Sequence, residues 1–444
     1  MKLKREAPKK SSKVSAARNA AFEILLKVAG EKTKNLAHSD DLLRSRVVEK
    51  LPLADRHLVT TLVLGVLRWQ LVLDAEIRKC LKRPNGKLDS EVLIALRLGA
   101  FQLLYLDRIP AHAALNESVE LVREAGHPFA VAMTNAVLRK IQANDAQKNQ
   151  ERELMAQAIA AHPAWMVERW TDFYGREAAE AICLHGQKQP RLAIRLAAQS
   201  VAEEAELRPS EILTAARIVE SGEIIFSEGG VRIQDEGSQL VGEIAAALIP
   251  DGLEEGSVLD CCAAPGGKTM ILAERLTRAR IFANDASAAR LENLRERVEK
   301  LPREMRDRID CRQADAAEKL DREFDLILAD VPCSGTGTLG RNPEIRHRLT
   351  VDAIARQAER QRVILKNALS ALKIGGRLVY STCSLEPEEN GEVVHAVLDE
   401  MGAAGKFLCN DGTRNHGRPG RSIAAAYGCD GHINEGGFAG FDSR

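Results

Sequence analysis

The sequence predicts a multidomain chain: an all-α N-terminal domain, a small linking subdomain and a doubly wound α/β domain, with an atypical tail after it. Three observations predict this. From Ser15 to about Ile141 apolar residues recur at helical spacing and little else does. After Lys268, strand-like and helix-like runs alternate, the pattern of a parallel sheet with crossover helices. Between the two lies Ser257-Val258-Leu259-Asp260-Cys261-Cys262-Ala263-Ala264-Pro265-Gly266-Gly267-Lys268-Thr269. There an apolar run passes through a Pro-Gly-Gly turn into a helical pattern, which reads as the first strand, loop and helix of such a sheet.

A chain of 444 residues fits roughly two to four domains. The 63 Lys and Arg balance 63 Asp and Glu, so whole-molecule charge does not point to an acidic partner. Its distribution does: Met1 to Arg18 carries Lys2, Lys4, Arg5, Lys9, Lys10, Lys13 and Arg18 against Glu6. Residues 1–14 therefore form a basic tail able to contact phosphates, or simply a solvated start. No apolar run reaches the length of a membrane span and the N-terminus lacks a secretory signal, so a cytoplasmic protein without membrane contact is expected. Nine cysteines show neither Cys-x-x-Cys pairs nor zinc-type Cys/His spacing, so free thiols and no metal are expected.

The helical domain spans 15–145. Ala20, Phe22, Ile24, Leu25 and Val28 begin it, Leu58 to Leu67 continue, and Val92 to Leu106 and Val131 to Ile141 close it, with Pro52, Pro84-Asn85-Gly86, Pro110 and Gly126-His127-Pro128 at loops. Arg68, Arg78, Lys79, Lys82 and Arg83 offer a basic face, although single charges on helices are usually just solvated. The linking subdomain, 146–230, holds a helical unit anchored by His162-Pro163-Ala164-Trp165 and Trp170, then short strands at Glu223-Ile224-Ile225-Phe226 and Gly230-Val231-Arg232-Ile233. In the α/β domain, 231–405, a helix from Gln239 to Leu248 precedes the organising strand. Strands follow at Arg280 to Asn284, Ile309 to Gln313, Phe324 to Ala329 and, after a Gly375-Gly376 turn, Arg377 to Ser381. A helix runs from Val351 to Leu372.

Four strands end in an acid, Asp260, Asp285, Asp315 and Asp330, and the fifth in Cys383, so these side chains gather at one rim, where ligands of parallel sheets bind. An acid after the second strand suits ribose hydroxyls, and Asp315 can accept from an adenine amino group. Any one such acid is as well explained as a helix cap. The set in register beside Gly266 and Gly267, which let backbone approach a bulky ligand, reads as a nucleotide-type cofactor site. Lys268 either meets a cofactor carboxylate or pairs with an acid.

Cys333, in Asp330-Val331-Pro332-Cys333, and Cys383 lie fifty residues apart but at the tips of adjacent strands. A single cysteine is by default a buried apolar residue; two above a cofactor site point to catalysis. Carbon 5 of cytosine is too poor a nucleophile to take a methyl group directly. Addition of a thiolate to carbon 6 makes it one, and a second thiol can assist the later elimination.

These stretches carry a family resemblance. Asp260 to Thr269, Asp330 to Arg346 and Tyr380 to Asn390 resemble the motifs of RNA cytosine-C5 methyltransferases. The helical domain resembles the NusB-like RNA-binding domain at the front of the bacterial RsmB/Sun (Fmu) branch, which modifies 16S ribosomal RNA. The resemblance implies a Rossmann-like class I methyltransferase domain and S-adenosyl-L-methionine as cofactor, held by Cys262, Ala263, Ala264, Pro265, Gly266, Gly267 and Lys268. It also implies Asp285 on the ribose, Asp315 near the adenine, and Asp330 near the methionine moiety and target base. Cys383 would be the nucleophile and Cys333 would assist release; DNA cytosine methyltransferases use the Pro-Cys thiol instead, so position alone does not assign the roles. Arg341, Arg346 and Arg348 would contact RNA phosphates or pair with local acids. The implied substrate is 16S ribosomal RNA at cytosine 967, with the enzyme a monomer. Transfer RNA is the runner-up, and a catalytically inactive RNA-binding assembly factor is the reading from another class. One departure stands out: residues 406–444 are Gly- and Arg-rich where the family closes its sheet with a hairpin, so a loosely ordered end is expected, and absence of the last strands would leave one sheet edge uncovered.

Overall fold

The computed structural model describes residues 14–30, 38–145, 151–196, 206–221, 231–249 and 255–402, and strand segments at 407–409, 421–427, 431–434 and 438–441. The basic tail before Val14, the expected strand Glu223 to Phe226 and most of the Gly/Arg-rich tail lie outside the described residues. The chain divides into two compact units, Met1–Gln189 with Leu339–Arg348, and Pro190–Thr338 with Leu349–Arg444. The boundary falls inside the stretch expected to link, 146–230; its helices belong with the first unit and its strands with the second.

The first unit is helical: α1 Ala16–Ala29, α2 Leu53–Cys80, α3 Ser90–Tyr105, α4 Ala111–Glu124, α5 Val131–Asp145, α6 Glu151–Ala160, α7 Ala164–Tyr174 and α8 Arg176–Gln187. Helix α2 begins directly after Pro52 and buries Val59, Leu62, Val63, Val66 and Leu67, a stripe recurring every three or four residues. It corrects one sequence expectation, since its 28 residues include a window of mean hydropathy 1.5, long and apolar enough to cross a membrane. Arg56, Arg68 and Asp74 break up that run in the sequence. Half of the window is buried, against Phe22 and Leu25 of α1, Leu96 and Phe101 of α3, and Leu138 of α5, which is the placement of a core helix.

The segment Leu339–Arg348 belongs to this unit, and its guanidinium groups correct another expectation. Arg346 is 1% exposed and donates to the carbonyl oxygens of Arg68, Ala161, Gly186 and Leu339. Arg348 donates to the Val28 carbonyl and buried Arg68 to that of Gly340. Ala161, Gly186 and Val28 lie at or next to helix C-termini, where carbonyls lack intrahelical partners, so these cations saturate backbone, and Arg346, buried, does not face phosphates. Burial lowers the Arg346 pKa to about 9. Lys79, also expected on a basic face, pairs with Glu76.

The second unit opens with β1 Leu192–Leu196, β2 Glu206–Pro209, β3 Ala216–Ser221 and β4 Val231–Ile233, an antiparallel sheet of order β2-β3-β1-β4. There follow α9 Glu236–Ala247, β5 Ser257–Asp260, α10 Gly267–Arg275, β6 Arg280–Asp285, α11 Ala288–Val298, β7 Ile309–Gln313, β8 Phe324–Asp330, α12 Val351–Ser370, β9 Leu372–Thr382 and α13 Gly391–Gly402. Successive side chains of a strand point to opposite faces. Leu326 and Leu328 of β8 therefore pack with Val241 of α9 and Leu272 of α10, while Ile327 and Ala329 pack with Ile364 of α12 and Val394 of α13. Covered on both faces, β8 is apolar almost throughout, as a parallel sheet requires.

The sheet has the order β10-β11-β9-β8-β5-β6-β7, all parallel, with β10 Phe407–Cys409 and β11 Arg421–Tyr427. Two differences from expectation appear. Strand β9 runs through Gly375-Gly376 instead of turning there; the register against β8 shifts, and Gly375 absorbs the irregularity at φ +80°. The edge of β9 is not bare either, because Ser422–Tyr427 pairs with Arg377–Thr382. Strand pairing uses backbone N–H and C=O groups, so a stretch poor in β-branched residues still extends an open edge. A further hairpin joins β12 Gly431–Asn434 to β13 Phe438–Phe441.

Candidate active site

The loop after β5 is shaped by its glycines. Gly266 sits at φ +100°, and a Cβ there would lie 2.4 Å from Leu294 Cδ1; one on Gly267 would lie 2.9 Å from Gln234 Nε2. At Gly266 both conformation and space disfavour a side chain, while at Gly267 one would have to displace the end of Gln234, so the chain can turn at once into α10. Asp260 is buried beneath the loop and accepts from Thr269 Oγ1 at 2.7 Å, while its Oδ1 has no partner. Burial raises its pKa to about 7. This corrects the expectation of a common rim for all the strand-end acids: Asp260 supports the loop from below and does not line the cavity.

The other strand tips do meet. A cavity of about 200 Å³ is lined by Cys262, Ala264, Asp285, Asp315 and Asp330 and by both Cys333 and Cys383. Ala263, Pro265, Gly266, Gly267 and Lys268 stand off its wall. Asp285, at the end of β6, accepts from the Ser287 and Ala264 N–H groups and from Arg290 Nη2 at 2.9 Å. Asp315, beyond β7, accepts from the Ala317 N–H and, through both oxygens, from Arg360 Nη2. Arg290 and Arg360 also line the cavity, and sequence reasoning did not single them out. Their signal was hidden in α11 and α12, where arginines are frequent and only the fold tells which one faces the strand tips.

Lys268 reaches Asp330 Oδ2 at 2.6 Å and Ser238 Oγ at 3.1 Å, so of the two roles open to it the structure holds it on an acid. Burial pushes its pKa down, but Asp330 and Asp260 outweigh this and the net shift is upward, keeping it a cation. Ser381 Oγ donates to the other oxygen of Asp330 at 2.7 Å. This cation then faces the thiols. The Cys333 and Cys383 sulfur atoms are 3.2 Å apart, and the Cys383 N–H points at Cys333 Sγ at 3.3 Å. A hydrogen bond from Cys333, aided by Lys268 against the opposing effect of burial and Asp330, lowers the pKa of Cys383; that of Cys333 moves up. The pair is therefore asymmetric, with the lower pKa on Cys383.

The family model for 16S rRNA methyltransferase RsmB/F matches residues 245–410, and that for the NusB family matches 15–143. The probable ribosomal RNA small subunit methyltransferase B of Bacillus subtilis (strain 168) is 36% identical over 420 residues, covering 87% of this chain and 89% of that one. The chain belongs to the RsmB/F methyltransferase family. The ribosomal RNA small subunit methyltransferase B of Pseudomonas putida is 34% identical, with 79% and 83% of the two chains covered. The crystal structure of PH0851 shares the fold, with a TM-score of 0.69 at 24% identity over 87% of this chain and 89% of that one.

Membership makes S-adenosyl-L-methionine the cofactor. The cavity's donor set fits it: Asp285 and Asp315, on neighbouring strand tips, offer carboxylate oxygens to hydroxyl and amino groups, and the glycine loop brings Cys262 and Ala264 to the wall without bulk.

Proposed function

We propose that this chain methylates carbon 5 of a cytosine in 16S ribosomal RNA, cytosine 967, through a covalent adduct between Cys383 and carbon 6 of the base. The observation that supports this reading most is the pair of sulfur atoms 3.2 Å apart on the wall of the cofactor cavity. A methyltransferase acting on an already nucleophilic nitrogen or oxygen needs neither thiol.

In this reading Asp285 holds the ribose hydroxyls, Asp315 the adenine amino group, and the loop from Cys262 to Lys268 the remainder of the cofactor. The cofactor supplies an electrophilic methyl group for carbon 5. Cys383 Sγ adds to carbon 6 as thiolate, and the carbon 5–carbon 6 double-bond electrons move into the ring, leaving carbon 5 nucleophilic. After methylation, the proton on carbon 5 passes to a base, the sulfur–carbon 6 bond breaks and the double bond returns. Cys333, next to the leaving sulfur, assists that elimination. Asp330, fixed by Lys268 and Ser381, orients the base edge. The cytosine is presented unstacked from single-stranded or distorted RNA, since these atoms are unreachable within a helix. The helical domain, 15–145, grips RNA; residues 146–230 link it to the methyltransferase domain, 231–405. The enzyme works in the cytoplasm as a monomer.

The test is methyl transfer by the purified protein to 16S ribosomal RNA and to transfer RNA, with the product mapped. A single 5-methylcytosine in 16S RNA is expected; modification of transfer RNA alone, or of a ring nitrogen, would overturn the assignment.

A further inference from the structure

Glu389 sits on the short 3₁₀ turn Pro387–Glu389 that follows β9, and its side chain is fully buried. It accepts from the backbone N–H of Ser334 at 2.8 Å, from the hydroxyls of Ser334 and Ser384, and from Gln361 Nε2 at 3.1 Å. The two serine oxygens are themselves 2.9 Å apart. Ser334 follows Cys333 and Ser384 follows Cys383, so one carboxylate holds the residue next to each thiol, on loops from different strands. All four donors are neutral, and hydrogen bonds to a buried carboxylate are about twice as strong as neutral ones. Around them Tyr380 Oη donates to the Glu389 carbonyl at 2.8 Å, and Asn390 Nδ2 donates to the Ser384 carbonyl at 2.8 Å, stiffening the turn that carries the acid.

We infer that Glu389 is the positioning residue that sets the spacing of the two cysteine sulfurs, by clamping Ser334 and Ser384 to a single carboxylate. It does not line the cavity. The clamp adds to the backbone bonds around the cysteines, among them the Gly337 N–H to the Cys383 carbonyl at 2.9 Å, by fixing the residue after each thiol on both loops at once. Its effect on turnover rests on the covalent reading proposed above, whereas its effect on sulfur spacing does not.

The spacing can be read without activity. Full-length protein is treated with diamide, which takes two electrons and two protons from the thiols as the sulfur–sulfur bond forms, and the Cys333–Cys383 disulfide is counted by peptide mass mapping over time. Glu389→Gln keeps the shape but not the charge, and its crosslinking rate is expected to fall about tenfold or more. Ser334→Ala, which removes one hydroxyl at a partly exposed site, should fall less but in the same direction. With RNA, kcat should drop in both variants while KM and S-adenosylmethionine affinity hold. Crosslinking at the unmodified rate in either variant, with circular dichroism showing it folded, overturns the inference; should Glu389→Gln not fold, Ser334→Ala decides alone. A Cys383→Ala variant that still turned over would remove the covalent reading and leave the crosslinking comparison standing.

Discussion

At the scale of single residues, Asp260 makes the clearest thermodynamic statement. Its carboxyl titrates near 7 in the fold against 3.8 as the ordinary value, so the folded state holds the proton more tightly than the unfolded chain. The stability this contributes is complete below pH 3.8 and is lost as pH rises through 7, a loss of about 4 kcal/mol. Asp260→Asn keeps an acceptor for Thr269 and removes the titration. Urea unfolding at pH 5 and pH 8 should therefore show a smaller loss of stability in the variant than in the parent; equal losses would count against a buried, proton-retaining Asp260. The strand-end acids were legible in sequence because each follows a short apolar run and precedes a turn, which places it at a tip whatever else surrounds it. Depth was not legible: Asp260 and Asp285 look alike in the chain, yet only Asp285 reaches the cavity, because Thr269 on the first turn of α10 draws Asp260 inward. Glu389 was illegible for the same reason, being one of several acids in Leu385-Glu386-Pro387-Glu388-Glu389 until the fold turns it toward two serines.

At the scale of elements, the helices of the first unit pack closely enough for one glycine to be decisive. A Cβ on Gly65 of α2 would fall 2.0 Å from Phe101 Cζ of α3, far inside van der Waals contact. Phe101 is buried and stacks on Tyr105, whose own ring stacks on Trp69 at 4.7 Å, so it has little room to retreat. Gly65→Ala should destabilise the protein by about 1–3 kcal/mol as overpacking, despite the better helix propensity of alanine, and Phe101→Leu in that background should recover part of the loss. A double-mutant cycle in urea reads both; simple additivity would refute the packing account. Helix α2 itself was readable from its period, while the α2–α3 approach was not, since a glycine within a helical pattern does not say what occupies the space it leaves. In the sheet, apolar runs announced β5, β6, β8 and β9. Strand β11 went unrecognised because backbone at an open edge recruits it and its side chains do not advertise it.

At the scale of the whole molecule, the chain leaves the second unit after Thr338, contributes Leu339–Arg348 to the first and returns at Leu349. A ten-residue excursion is invisible to periodicity, and of the arginines that invited an RNA-binding reading, Arg346 is buried on backbone carbonyls instead. What sequence did carry at this scale was the division of labour, helices first and a parallel sheet after, together with two cysteines on adjacent strands whose sulfur atoms the fold brings to 3.2 Å. The chemistry assigned to those atoms has a direct test. Cys333→Ala and Cys383→Ala proteins are each incubated with 16S ribosomal RNA and S-adenosylmethionine and run on a denaturing gel. The account predicts a protein–RNA band that survives denaturation for Cys333→Ala, which can form the adduct but not release it, and none for Cys383→Ala; the band appearing with Cys383→Ala, or with neither, would contradict it.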